Sequence, residues 1–381
     1  MSDQLNMFTP SAEDDEAFSC PYSEEEMTVQ KWNKIAADLI MVGSIEAAVE
    51  AYDSGLELEP DSPILLQNKA SAFSRFGKYD EALTVYLQAM EKHPNNADFP
   101  NGAAFVLLET GKAEESIMLF DKSIFLSPDY ENPYLGRGLA FGELGEFEKA
   151  VDSYDKAIAL RADYKDAYFG KAIALGALGR FNESVSSFEK TIELDDSDPT
   201  VWYYKALAHD SAGDAENALF AYDKTIAINP DFDDAWNNKG ILLNALGKFE
   251  EALACFDKTV EINDKQADVW FNKGYTHSVL NQLDEAVGSF KEAIEIDPNF
   301  EAAYMEIAFA YVQMGCAVDA VEMYDKSIEL NPSAEAYFGK AVCLQAAGEL
   351  ENAKISFEKA FELDPRYKEL VEQKLTETNE Y

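Results

Sequence analysis

The chain has 381 residues, with 72 Asp and Glu against 31 Lys and Arg, and a formal charge of −41 at neutral pH. That balance opposes binding to nucleic-acid phosphates, which takes Lys and Arg, and docking on anionic membrane surfaces. The apolar residues are never drawn into a run long enough to span a bilayer.

Residues 1–22 carry acids and no Lys or Arg, so they are expected to form a flexible acidic tail rather than a secretory signal. The alternative is that the tail folds back through Leu5, Met7 and Phe8. Ser23 and Glu26 have the spacing of a capping box that would open the first helix.

From there a proline recurs on a ruler. Pro60, Pro94, Pro128, Pro230, Pro298 and Pro332 are spaced by 34 residues or multiples of it, with Ala162, Asp196 and Asp264 in the empty slots. A period of this length means stacked supersecondary units. Setting the ruler residue as position 32 gives ten units: 29–62, 63–96, 97–130, 131–164, 165–198, 199–232, 233–266, 267–300, 301–333 and 334–367. Position 8 is Ala or Gly and position 20 is Ala or Ser in every unit, which allows two helices to cross closely. Position 24 is always aromatic, and position 4 is bulky in most units, as in Trp202, Trp236 and Trp270. Glycine fills position 15 in nine units and Asn281 in the tenth, the residues that best end a helix in the left-handed conformation. Each unit therefore reads as helix A, a turn, helix B and a stop. Pro100 stands at position 4 of the third unit and predicts a late start for that A helix, with a looser joint at 94–102. Residues 366–378 read as a C-terminal capping helix, with Leu370, Val371 and Leu375 facing the last unit.

This pattern of bulky-4, small-8, Gly-15, small-20, aromatic-24, small-27 and Pro-32 resembles the tetratricopeptide repeat family over residues 29–367. The resemblance implies an all-α, right-handed superhelical solenoid of antiparallel helix pairs, with the A helices lining a concave groove. It also implies a non-catalytic scaffold that binds a peptide or helical segment of a partner protein. Carried over by register, the groove would be lined by Phe169, Ile173, Tyr203, Leu207, Asn237, Asn238, Ile241, Phe271, Asn272, Tyr275, Met305, Phe309 and Phe338. Gly136, Gly170 and Gly339 at position 6, with Gly142 and Gly176 at position 12, would leave room for close approach. Asp98, Asp166, Asp234, Asp268 and Glu335 at position 2 would form an acidic rim. Two explanations of those acids stand side by side: attraction of a partner with basic residues, and stabilisation of the helix N-terminus. The overall acidity likewise admits a solubility role. The family's carboxylate clamp does not fit, because no Lys or Arg stands at position 2 or 5. An asparagine ladder at position 6 reduces to Asn238 and Asn272.

No phosphate loop, dinucleotide fingerprint or zinc spacing is present, so no cofactor, metal site or catalysis is expected. His209 and His277 both take position 11 and read as hydrogen-bonded packing residues. The four cysteines share no metal or redox spacing and fit a reduced, cytoplasmic setting. The competing role is self-association, in which the groove or the array ends mate with a second copy.

Overall fold

The computed structural model describes residues 27–369. The chain divides into two compact bodies, Met1–Leu194 and Asp195–Tyr381. Repeats one to five are α1 (Val29–Met41) and α2 (Ile45–Leu58), α3 (Pro63–Arg75) and α4 (Tyr79–Lys92), α5 (Asp98–Glu109) and α6 (Ala113–Leu126), α7 (Glu131–Glu143) and α8 (Phe147–Leu160), and α9 (Lys165–Ala177) and α10 (Phe181–Leu194). Repeats six to ten are α11 (Pro199–Ser211) and α12 (Ala215–Ile228), α13 (Asp233–Ala245) and α14 (Phe249–Ile262), α15 (Ala267–Val279) and α16 (Leu283–Ile296), α17 (Glu301–Gln313) and α18 (Ala317–Leu330), and α19 (Ala334–Ala346) and α20 (Leu350–Leu363). No strand occurs among the described residues. Within each body every A helix pairs with its own B helix, and each B helix packs on the A helix that follows.

The turn between the two helices is the same in all ten repeats. Position 15 is left-handed throughout, from φ 72° at Gly111 to 82° at Gly43, and Asn281 adopts it at 58°. The next residue's N–H returns to the position-11 carbonyl, as from Glu146 to Phe141 at 2.9 Å and from Gln282 to His277 at 2.9 Å. This is the glycine-closed helix end in which a six-residue loop of hydrogen bonding satisfies the orphan carbonyls. The small residues at positions 8 and 20 then let the helices touch. Ser184 is so close to α9 that its hydroxyl donates to the Ala172 carbonyl at 2.7 Å.

One expectation needs correction here. The first described helix opens at Val29, where the Thr28 hydroxyl accepts the Lys31 N–H at 3.3 Å. The Ser23–Glu26 box, the tail 1–22 and its Leu5, Met7 and Phe8 lie outside the described residues. In the third repeat α5 does start one residue late, at Asp98. The looser joint at 94–102 is absent: Phe99 is fully buried, and a Cβ added at Gly102 would lie 2.4 Å from the Tyr86 ring. At the far end Pro365 to Glu369 takes a helical turn, while Leu370, Val371 and Leu375 lie outside the described residues.

Candidate partner-binding face

The position-24 ring organises each A-helix seam. Tyr154 on α8 sits between two glycines. A Cβ added at Gly138 of its own repeat would meet the ring at 2.6 Å, and one added at Gly170 of the next repeat would meet it at 2.6 Å. Phe120 and Tyr324 lie in the same way over Gly136 and Gly339. The room that these position-6 glycines were expected to offer a partner is therefore taken by the chain's own rings. Gly142 does face open space, and Gly176 meets only the Ser184 hydroxyl at 3.6 Å.

The position-5 side chains are committed to packing as well. Tyr203 packs against Phe232 at 5.0 Å, the rings tilted by 35°, and approaches Tyr222 at 6.3 Å. Phe271 does the same with Phe300 at 5.0 Å and Phe290 at 5.4 Å, and Phe338 with Tyr367 at 4.8 Å and Phe357 at 5.6 Å. Such ring pairs add about 0.5–1.5 kcal/mol each beyond area burial. Phe169 meets Phe188 at 5.9 Å, edge to face. Asn237 and Met305 hold the same position in repeats seven and nine and are buried, each 9 % exposed. Asn238 donates to the Tyr203 hydroxyl at 2.9 Å, so this rung of the expected ladder is tied to the preceding repeat. Asn272 is half-buried.

What remains open is position 9. Ile241, Tyr275 and Val342 are 43 %, 47 % and 42 % exposed in the second body, while Leu207, before them in sequence, and Phe309, between Tyr275 and Val342, are half-buried. In the first body Ile173 is 37 % exposed and Leu139 39 %. Asp98, Asp166, Asp234, Asp268 and Glu335 are all exposed in the first turns of α5, α9, α13, α15 and α19. Positions 2 and 9 are seven residues apart, which returns to the same helix face within about 20° at 3.6 residues per turn. Four of these helices, α9, α13, α15 and α19, thus present an acid and an open apolar side chain in one line, about 10 Å apart.

The electrostatics of this face follow from burial among like charges. Partial burial, then Asp233 and Asp268, push the Asp234 carboxyl above its usual range. Burial, then the Glu335 charge, does the same to Glu306, and burial alone raises Asp210. Burial and the nearby Asp234 push the Tyr203 hydroxyl up to about 12. The histidines do not contribute to a site. His209 Nδ1 lies 3.2 Å from the Asp214 carboxylate, and His277 Nδ1 2.7 Å from the Gln282 side-chain oxygen, each pinning the start of its own B helix. Burial pushes the Cys255 thiol up to about 11, which keeps it unreactive. No group of His, Cys, Asp and Glu among the described residues could hold a metal ion.

Two recurring contacts were not anticipated. The position-7 cation pairs with the position-25 acid of the preceding repeat: Lys69 with Asp53 at 2.5 Å, Arg137 with Asp121 at 2.7 Å, Lys171 with Asp155 at 2.6 Å, Lys239 with Asp223 at 2.6 Å and Lys273 with Asp257 at 2.7 Å. Lys340 and Asp325 continue the series. Partly exposed pairs of this kind contribute about 0–1 kcal/mol each, but they consume the cations. The second contact explains the bulk at position 4. Trp202, Trp236 and Trp270 donate their indole N–H to the carbonyls of Asp196, Pro230 and Asp264 at 3.1, 2.9 and 2.9 Å. Tyr134 and Tyr304 reach Pro128 and Pro298 by their hydroxyls. Every acceptor is the ruler residue, which identifies the ruler as a carbonyl and not only a proline.

Comparison with known proteins agrees with this architecture. Models described as tetratricopeptide repeat match residues 36–97, 68–131 and 169–233, residues 233–266 and 267–300, and residues 334–367, and one described as TPR repeat matches 142–179. The C-terminal part of a TPR repeat-containing protein from Cytophaga hutchinsonii is similar with a TM-score of 0.55 at 16 % identity, covering 63 % of this chain and 99 % of that one. A tetratricopeptide repeat protein from Parabacteroides merdae is similar at 21 % identity and a TM-score of 0.47, covering 65 % of this chain and 98 % of that one. YrrB, described as a TPR protein with an unusual peptide-binding site, is 24 % identical over 48 % of this chain and 95 % of its own, with a TM-score of 0.43. No curated protein matches the sequence. Ten helix pairs closed by the same left-handed turn, and family models that together reach from residue 36 to residue 367, place this chain in the tetratricopeptide repeat family.

Proposed function

We propose that this chain, a non-catalytic protein-interaction scaffold by family, holds a peptide or helical segment of a partner protein along the exposed face of its A helices. The observation that carries this reading is the exposed row of Ile241, Tyr275 and Val342. These are large apolar side chains at one register of α13, α15 and α19, each in line with an acid two turns earlier. Exposed apolar side chains that line up on neighbouring helices mark interaction sites, and a segment inserted along a repeat array meets such a row side chain by side chain. The acids add a preference for partners with Lys or Arg beside their apolar residues. No helix among the described residues is long and apolar enough to cross a membrane, and the net charge of −41 disfavours nucleic acid.

The packing of Tyr203, Phe271 and Phe338 dictates how the reading is tested. Truncating those rings attacks the repeat seam, whereas Ile241→Ser with Tyr275→Ser alters only the open face. Purified wild type, the double variant and a Met118→Ser control on the exposed side of α6 are used to recover partners from the native host. Loss of the same partners from the double variant alone is expected. Equal recovery by all three, with unchanged circular dichroism, refutes the proposal. Sedimentation across concentration separates the self-associating alternative, in which a second copy takes the face.

A further inference from the structure

Repeat seven breaks the packing rule of its neighbours. Repeats six, eight and ten close the position-5 seam with three rings, but repeat seven has Asn237 at position 5 and Gln266 at position 34. Gln266 does not serve Asn237. Its amide donates to the Asp233 carboxylate at 2.8 Å, and the Asn263 amide donates there at 3.2 Å. The Asn237 side-chain oxygen is left buried with no hydrogen-bond partner, in a residue only 9 % exposed. A buried acceptor without a donor is costly to keep and rare in native proteins.

The oxygens in line with it on α13 are further acceptors. Asp234 lies one turn earlier, and its carboxylate bonds no described residue. Ile241 lies one turn later and is open. One further turn along, the Asn244 oxygen is a second buried acceptor without a partner, its amide being spent on the Thr276 hydroxyl at 2.7 Å. The helix's own cation, Lys239, is held by Asp223 at 2.6 Å and lies over the Trp236 ring. The first repeat shows the contrast. There Asn33 occupies position 5 without an acid at position 2, and its oxygen is satisfied by the Asn68 amide at 2.8 Å. In repeat three, with Asp98 and Asn101 at the same two positions, the Asn101 oxygen is also buried without a partner, but the Tyr130 hydroxyl accepts the Asn101 amide at 3.4 Å, the tyrosine fills the position that Gln266 holds in repeat seven, and position 9 is Phe105, packed on Phe120 at 5.0 Å instead of open.

We infer that α13 is the anchor of the bound segment, and that it takes an arginine side chain whose guanidinium lies between Asp234 and Asn237 with its stem along Ile241. The guanidinium offers five N–H donors in a planar fork and no acceptor, which matches a strip of acceptors facing one charge. Its three-carbon stem is apolar and covers Ile241. This inference rests on the partner-binding reading of the same face and names the residue type that face selects.

The test uses the full chain and a short capped peptide of repeated Leu-Arg-Ala triplets, with a second peptide carrying Gln in place of Arg. Asn237→Leu leaves the net charge at −41, and Leu135 and Met305 already occupy that position in other repeats, so the variant is expected to fold. Binding of the arginine peptide to wild type is expected, weakened about tenfold or more by Asn237→Leu, with the glutamine peptide weaker and indifferent to that substitution. General attraction of a cationic peptide to an acidic protein does not change with Asn237→Leu. Failure of wild type to bind the arginine peptide, or equal affinity for wild type and Asn237→Leu, overturns the anchor. If that equality comes with loss of binding on Ile241→Ser, the face reading stands without it. If Ile241→Ser also leaves binding unchanged, the face reading falls.

Discussion

Replacing Gly170 by alanine sets two effects of known size against each other. In the middle of α9, alanine is favoured over glycine by about 0.8–1.0 kcal/mol. The added Cβ, however, would lie 2.6 Å from Cζ of Tyr154 and 2.8 Å from its Cε1 and hydroxyl oxygen. Carbon atoms rest at about 3.5–4.0 Å, so the ring or the helix must yield by about 1 Å. The ring has nowhere to go, because on its other side the Gly138 position would place a Cβ at 2.6 Å. Overpacking of this kind costs about 1–3 kcal/mol, so Gly170→Ala is expected to lose about 0–2 kcal/mol net. Gly288 in α16 is the control, since nothing lies within 4 Å of its Cβ position and the full propensity gain of about 1 kcal/mol should appear. The assay is urea unfolding followed by circular dichroism. Hydrogen exchange on α8 and α9 accompanies it, because a repeat array need not unfold in one step. In a Tyr154→Leu background the clash is gone, and Gly170→Ala should become stabilising. Equal stabilisation by Gly170→Ala and Gly288→Ala in the wild-type background would refute the wedge.

Three further outcomes are expected. Asn281→Ala, at φ 58°, should cost about 1–2 kcal/mol in denaturant unfolding, while Asn281→Gly should be close to neutral. Glu306 has a folded carboxyl pKa raised by burial and by Glu335, so at neutral pH its ionised form destabilises the fold, and stability is regained as pH falls toward the ordinary value of 4.5. Glu306→Gln should therefore raise the Tm at pH 7, and its advantage should shrink as pH falls; a constant difference would contradict the linkage. Tyr154, Tyr222 and Tyr324 have hydroxyls raised by burial, so their contribution is intact below pH 10 and is lost as pH rises above it. The last part of the tyrosinate absorbance, beyond that of the exposed tyrosines, should consequently appear together with loss of helix, and ionisation of all 19 tyrosines in a fully helical chain would refute that burial.

Much of the fold can be read from single positions, because a repeat tests each one ten times. Gly43 through Gly348, with Asn281 among them, predict a left-handed turn, and all ten positions adopt it. The small residues at positions 8 and 20 predict close crossing, and the Ser184-to-Ala172 hydrogen bond shows how close. The face was less legible, for a reason of packing. A glycine such as Gly136 declares that space is needed but not who fills it, and the filler is Phe120 from the repeat before. Phe271 declares a large apolar side chain but not its exposure, and two rings of its own repeat cover much of it. The ion pairs were missed because Lys239 and Asp223 belong to different repeats, so a reading confined to one unit never sets them side by side. Asn237 could have been singled out by comparing position 5 with position 34, since repeat seven is the one in its body where both are amides.

The bond from position 4 to the ruler carbonyl, present at five of the junctions, bears on how such a chain can grow. Its acceptor belongs to the main chain, so the side chain at that site is free to drift, and Asp196 and Asp264 serve as well as Pro230. Donor and acceptor sit on opposite sides of a boundary, six residues apart. Duplicating or excising a whole 34-residue block therefore rejoins a matching pair and leaves no broken end. A cut of any other length does not, and the ninth linker illustrates the penalty. It is one residue short, Tyr337 stands five residues after Pro332 without that bond, and the Ser333 hydroxyl takes the Ala336 N–H at 3.2 Å to secure the next helix instead.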